Sequence, residues 1–140
     1  RRVGSRRGRG KGRRGRAIAT DEVAFLKGIT DKPIKVTLPS PSTMHFWRGN
    51  EYADPGLYAN AEAFFADLAK VFQDEIAALA AAGAQYVQLD EVAIAMLCDP
   101  AAREKVKAAG LDPDRLVDLY VDAITQAVAK RPANLVVGVH

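Results

Sequence analysis

Three short stretches of the chain carry most of the side chains that could do chemistry. Residues 40–47, SPSTMHFW, supply hydroxyls, His45 and Trp47, the single tryptophan. Asp90 and Glu91 put two carboxylates side by side, and His140 adds an imidazole. A carboxylate accepts hydrogen bonds and pairs with cations, an imidazole ligates a metal or moves a proton, and an indole offers a flat apolar face. Each also has a structural reading: Asp90 as a cap for the segment after it, Glu91 as a solvated charge, Trp47 as satellite core, His45 as a loop hydrogen-bonder. Cys98 follows an apolar run and reads as a small buried hydrophobe, not a nucleophile. His140 alone does not make a zinc site, which takes several spaced Cys, His or carboxylate ligands. The sequence holds no phosphate-binding glycine loop after a strand and no Ser/His/Asp series in a workable order.

The elements that position these residues alternate between strand and helix. DEVAFLKGI, opened by Thr20 as N-cap, places Val23, Phe25, Leu26 and Ile29 at near-helical spacing. IKVTLP, residues 34–39, reads as a buried strand, and residues 40–50 as a loop. A long helix is expected from Asp54-Pro55, with an apolar stripe through Leu57, Phe64, Phe65, Leu68, Val71, Phe72, Ile76 and Leu79, stopping at Gly83. YVQLD (86–90) is the second strand. A short helix near Ala101 to Ala109, a longer one opened by Asp112-Pro113, and a third strand in NLVVGVH (134–140) follow. Strands joined by long helical crossovers must pair in parallel. Function in such folds gathers at the carboxyl ends of the strands, which here are Ser40 to Trp47, Asp90-Glu91 and His140. The expected fold is α/β, a partial TIM barrel of about three parallel strands, because a full eight-stranded barrel takes about 250 residues and this chain has 140. Three strands lacking cover on one face are expected to expose apolar surface.

Composition bounds the partners. With 49% hydrophobic and 26% charged residues the chain has ordinary globular composition, and no stretch is long and apolar enough to span a membrane. The net charge of +3 is unevenly spread: nine of the 20 Lys and Arg fall in residues 1–16, which hold no Asp or Glu, so residues 17–140 carry −6. The expected organisation is a flexible basic segment, 1–16, and a partial β/α barrel, 17–140. An arginine and glycine arm could bind nucleic acid, with a steep salt dependence, or could be a solvated loop. A single cysteine and the lack of a secretory h-region lead to the expectation of a cytoplasmic setting.

Taken in order, TDKPIKVTLPSPSTMHFW (30–47), AGAQYVQLDE (82–91) and NLVVGVH (134–140) resemble the catalytic barrel of the cobalamin-independent methionine synthases, most closely their shorter, methionine synthase II-like homologues. The resemblance runs from about Arg16 to His140. It implies a zinc-dependent methyltransferase acting on homocysteine and methyltetrahydrofolate in methionine biosynthesis. It also implies that His140 is a zinc ligand, that Asp90 binds the amino group of homocysteine and that Trp47 stacks on the folate pterin. Asp90, Trp47 and Glu91 are therefore the expected substrate-binding residues.

Two departures qualify the match. Val92 stands where the family has proline, which opens the alternative of a related thiol alkyltransferase with another donor or acceptor, a corrinoid donor included. The cysteine two positions after the family's zinc histidine, and the later ligands, are not in this sequence. The 140 residues alone are thus expected to leave the zinc site incomplete and to show no turnover. The resemblance implies that the basic segment is a connection between barrel strands, which favours the solvated loop over nucleic acid as a partner.

Overall fold

The structure is a computed structural model that describes residues 9–140. Three strands, β1 (Lys35–Pro39), β2 (Tyr86–Asp90) and β3 (Val136–Val139), form one parallel sheet in the order β1-β2-β3. Helix α1 (Thr20–Lys27) precedes β1. Helices α2 (Thr43–Phe46) and α3 (Ala61–Ala82) lie between β1 and β2, and α4 (Ala93–Met96), α5 (Pro100–Ala108) and α6 (Pro113–Val128) between β2 and β3. The register pairs Val36 with Val87, Leu38 with Leu89 and Pro39 with Asp90 across the first two strands, and Leu89 with Val139 across the next two.

Strand alternation sorts side chains between the two faces. Val36, Leu38, Val87 and Leu89 are buried in one core with Phe72, Ile76 and Leu79 of α3 and Ala127 of α6. The opposite set, Lys35, Thr37, Tyr86, Gln88 and Asp90, is exposed or half-buried. This face is more polar than the sequence led us to expect, and the Lys35 ammonium lies 5.4 Å from the centre of the Tyr86 ring. The exposed apolar side chains of the sheet are on the edge strand β3: Val136, which shares this face with Tyr86, and Val139.

A crossover helix in a βαβ unit runs back along the strand that precedes it, so its first turns stand beside that strand's tip. A second apolar cluster occupies this end: Phe65 of α3, Ala93 of α4, Leu97, and Leu116, Tyr120 and Ala123 of α6, all buried. Helix α6 begins as expected, with the Asp112 carboxylate accepting from the Asp114 and Arg115 amides and Pro113 in the first turn.

Helix α3 starts later than its Asp54-Pro55 signal. Those residues form a turn closed by Leu57 N–H donating to the Asp54 carbonyl, with Gly56 at φ 83°, and α3 is capped by Asn60, whose Oδ1 accepts from Ala63 N–H at 2.9 Å. Proline followed by a positive-φ glycine fits a turn better than a first helical turn. Thr20 is likewise not a cap but the first residue of α1; Ala19 precedes it with no side-chain cap. Gly83 does end α3, at φ 110°, and a Cβ there would meet the Lys27 side chain at 3.1–3.4 Å. Gly83→Ala is expected to lower stability by about 1 kcal/mol, read from the urea midpoint; an unchanged midpoint would contradict it.

Candidate functional site

Parallel register brings two of the expected stretches together, and a loop contact adds the third. Asp90 ends β2 opposite Pro39, and Ser40 N–H donates to the Asp90 carbonyl at 3.0 Å. On the other side His140 N–H donates to the Leu89 carbonyl at 3.0 Å, and Glu91 N–H to the His140 carbonyl at 3.3 Å. Ser40, Asp90, Glu91 and His140 therefore occupy one row of neighbouring strand tips.

The side chains in this row are in different states. Asp90 is half-buried on the open face of the sheet, and its Oδ1 accepts from the Gln88 amide at 2.6 Å. His140 is exposed. Glu91 is buried, and protein donors engage both of its oxygens: Oε2 accepts from the Ser40 and Ser42 hydroxyls at 2.5 Å each, and Oε1 from Ile94 N–H at 2.8 Å. Nothing local in the sequence announces this cluster, since its serines lie about fifty positions from Glu91 and only the β1–β2 pairing unites them.

Trp47 caps the C-terminus of α2 and is 59% exposed, so it is not satellite core. Its ring meets Phe46 edge-on at 5.2 Å, and both line a cleft of about 400 Å³ together with Met96 and residues of α5 and α6. Asp90 does not line this cleft. The tryptophan thus stands beside the row of strand tips, linked to it through Ser42 and Glu91.

Between Trp47 and the core lies His45. The stretch expected to be loop contains the turn of helix α2, which buries His45 against Tyr52, Phe65 and Tyr120 with ring centres 5.0–5.8 Å apart. Its Nδ1 is 2.9 Å from the Tyr120 hydroxyl, so it is a hydrogen-bonder as expected, but to α6 and not within a loop. Burial lowers the His45 pKa to about 4, and burial followed by the charge of Glu91 raises that of Tyr120. Cys98, expected inside, is exposed; α4 ends just before it and turns its thiol outward, 3.7 Å from the Ile94 carbonyl.

Residues 1–8 of the basic segment fall outside the described residues. Of the rest, Arg14 is held: its Nε donates to Glu75 Oε2 at 2.7 Å, and the same buried carboxylate accepts from Ile18 and Ala19 N–H. An arginine engaged in this way is not offered to a phosphate backbone. Among the described residues no three His, Cys, Asp or Glu gather to hold a metal ion, and no helix is long and apolar enough to cross a membrane.

Residues 9–128, which include both β1 and β2 with their tips, match the family described as the cobalamin-independent synthase, catalytic domain. The chain belongs to that family. It is 37% identical over 123 residues to the uncharacterised protein YxjH of Bacillus subtilis, covering 87% of this chain and 32% of that protein. It is 34% identical over 124 residues to a methionine synthase of Pyrococcus furiosus, covering 88% of this chain and 30% of the relative. A solved structure from Listeria monocytogenes, assigned as a vitamin-B12-independent methionine synthase, superposes with a TM-score of 0.68 at 31% identity over 86% of this chain and 36% of that one. A B12-independent methionine synthase from a Shewanella species, solved with selenomethionine, gives 0.64 at 25% identity over 91% and 31%. This synthase-family chain spans about a third of the length of these relatives, and its three strands are part of a TIM barrel wall.

Proposed function

We propose that these residues are part of a cytoplasmic, zinc-dependent methyltransferase that moves a methyl group from methyltetrahydrofolate to homocysteine, forming methionine. The observation that supports this reading is the single row of strand tips holding Ser40, Asp90 and His140, with an exposed tryptophan beside it. Asp90 would accept hydrogen bonds from the ammonium of homocysteine, a pairing suited to a group that only accepts. The exposed indole of Trp47 would stack on the pterin. Transfer would be a direct displacement: the sulfur–methyl bond forms as the methyl–nitrogen bond of the folate breaks, and the folate nitrogen takes a proton. Zinc, when bound, holds such a sulfur as thiolate at neutral pH. Among the described residues His140 would be one candidate zinc ligand, while Asp90 and Trp47 would bind and orient the substrates.

Titrating the chain with methyltetrahydrofolate while following Trp47 emission should give saturable quenching. Homocysteine binding, followed by calorimetry, should weaken about ten-fold in Asp90→Asn, the loss of one charge-assisted hydrogen bond. No saturable response to either compound would overturn the reading. Val92, 43% exposed two residues after the end of β2, stands where the resembled family has proline and favours testing a second reading, a thiol alkyltransferase with a different donor or acceptor. Tighter binding of another thiol than of homocysteine would select it.

A further inference from the structure

We propose that Glu91 is a positioning residue that ties together the two walls of the Trp47 cleft. The proposal deepens the reading of Trp47 as the stacking face, and rests on that reading for its functional meaning. One wall is the α2 turn, which begins at Ser42 and ends at Trp47; the other includes Met96 on α4, whose first turn contains Ile94. Glu91 reaches both. Oε2 accepts from Ser42 and from Ser40 at the end of β1, and Oε1 accepts from Ile94 N–H. The Ser42 hydroxyl, which at an N-cap would ordinarily bond to its own helix, makes no such cap and is given to Glu91. Because α2 is only four residues long, a shift at Ser42 is carried to Trp47 with little to absorb it. The carboxylate is buried and both of its oxygens accept from protein donors, so it acts on the cleft through what it holds.

This role needs hydrogen bonds, not charge. A glutamine amide can keep all three: its oxygen accepts from Ile94 N–H, and its two N–H groups donate to the serine oxygens, which accept as well as donate. A carboxylate placed to meet a substrate ammonium would not be replaceable in this way.

The test uses the chain without ligand, with Trp47 as the sole tryptophan. Acrylamide quenching and emission anisotropy are measured on wild type, Glu91→Gln and Glu91→Ala, at a temperature where circular dichroism shows each folded. Glu91→Ala should raise the quenching constant about two-fold and lower the anisotropy as the indole gains rotational freedom, with Glu91→Gln close to wild type. If Glu91→Ala does not fold, Ser42→Ala, which severs only the α2 arm, should show the same loosening. Two results would overturn the proposal: a Trp47 signal unchanged in Glu91→Ala or Ser42→Ala, or a Glu91→Gln variant as disturbed as Glu91→Ala. Failure of wild type to bind methyltetrahydrofolate would count against the pterin reading alone, leaving the mobility result to stand or fall separately.

Discussion

Glu75→Ala should lower the stability of the chain by about 2–4 kcal/mol, a range set by removing one partner of a largely buried, hydrogen-bonded ion pair. Glu75 is 1% exposed on α3, between the core residues Phe72 and Ile76, and its carboxylate is the junction between that helix and the start of the described chain. It accepts from the Arg14 guanidinium at 2.7 Å, from Ala19 N–H at 2.9 Å and from Ile18 N–H at 3.0 Å. Alanine would leave two backbone donors without their acceptor and a guanidinium, 22% exposed, without its carboxylate. Glu75→Gln keeps an acceptor for the amides but loses the charge, and should fall near half the effect. Urea unfolding gives the free energies, and trypsin digestion below the transition supplies a local readout. Cleavage at Arg14 and Arg16 should accelerate in Glu75→Ala ahead of any cleavage in α3. A midpoint within error of wild type, or uniform acceleration along the chain, would show that the carboxylate does not dock this segment.

The same residue shows where sequence patterns stop being informative. A carboxylate inside an apolar stripe is visible, since Glu75 interrupts the run Phe72, Ile76, Leu79, but its partner lies some sixty positions away in a segment whose composition suggests solvent. The three strands, their parallel pairing and the gathering of Asp90 and His140 at their tips were legible, because alternation and crossover length depend on local spacing. The start of α3 was not, because Asp54-Pro55 carries both a helix-start and a turn signal, and Gly56 at positive φ decides for the turn. Cys98 was misplaced for a similar reason: the apolar run before it is the four-residue α4, which ends and leaves the thiol outside. Within the site, the residue types were readable but their states were not. Trp47 could have been core or open face, and Glu91 a solvated charge or a substrate-binding residue; tertiary packing leaves the indole exposed and buries the carboxylate against two serines.

Acidification should destabilise the fold through His45 by up to about 3 kcal/mol, the free energy that corresponds to a pKa depressed from 6.5 to about 4. The imidazole is 3% exposed, enclosed by Tyr52, Phe65 and Tyr120, and its Nδ1 lies 2.9 Å from the Tyr120 hydroxyl. Its lowered pKa has burial as its cause, and the charge of Glu91 acts on Tyr120. Burial therefore favours the neutral ring, and the unfolded chain binds the proton more tightly. The sign follows: the contribution is fully present above pH 6.5, declines as the pH falls towards 4, and is gone below that, where both states are protonated. Carboxylates titrate over part of the same range, so the measurement is a difference. Stability of wild type and His45→Gln is followed from pH 7.5 to 4 by urea unfolding, and the wild-type curve should fall more steeply between 6.5 and 4. With two histidines in the chain, His45 is assigned by its loss in the variant, and its ring resonance gives the midpoint directly. A midpoint at or above 6, or parallel stability curves, would mean that the ring is open to water. In that event the α2 turn, and with it the face offered by Trp47, would not be held against α6 by this buried pair.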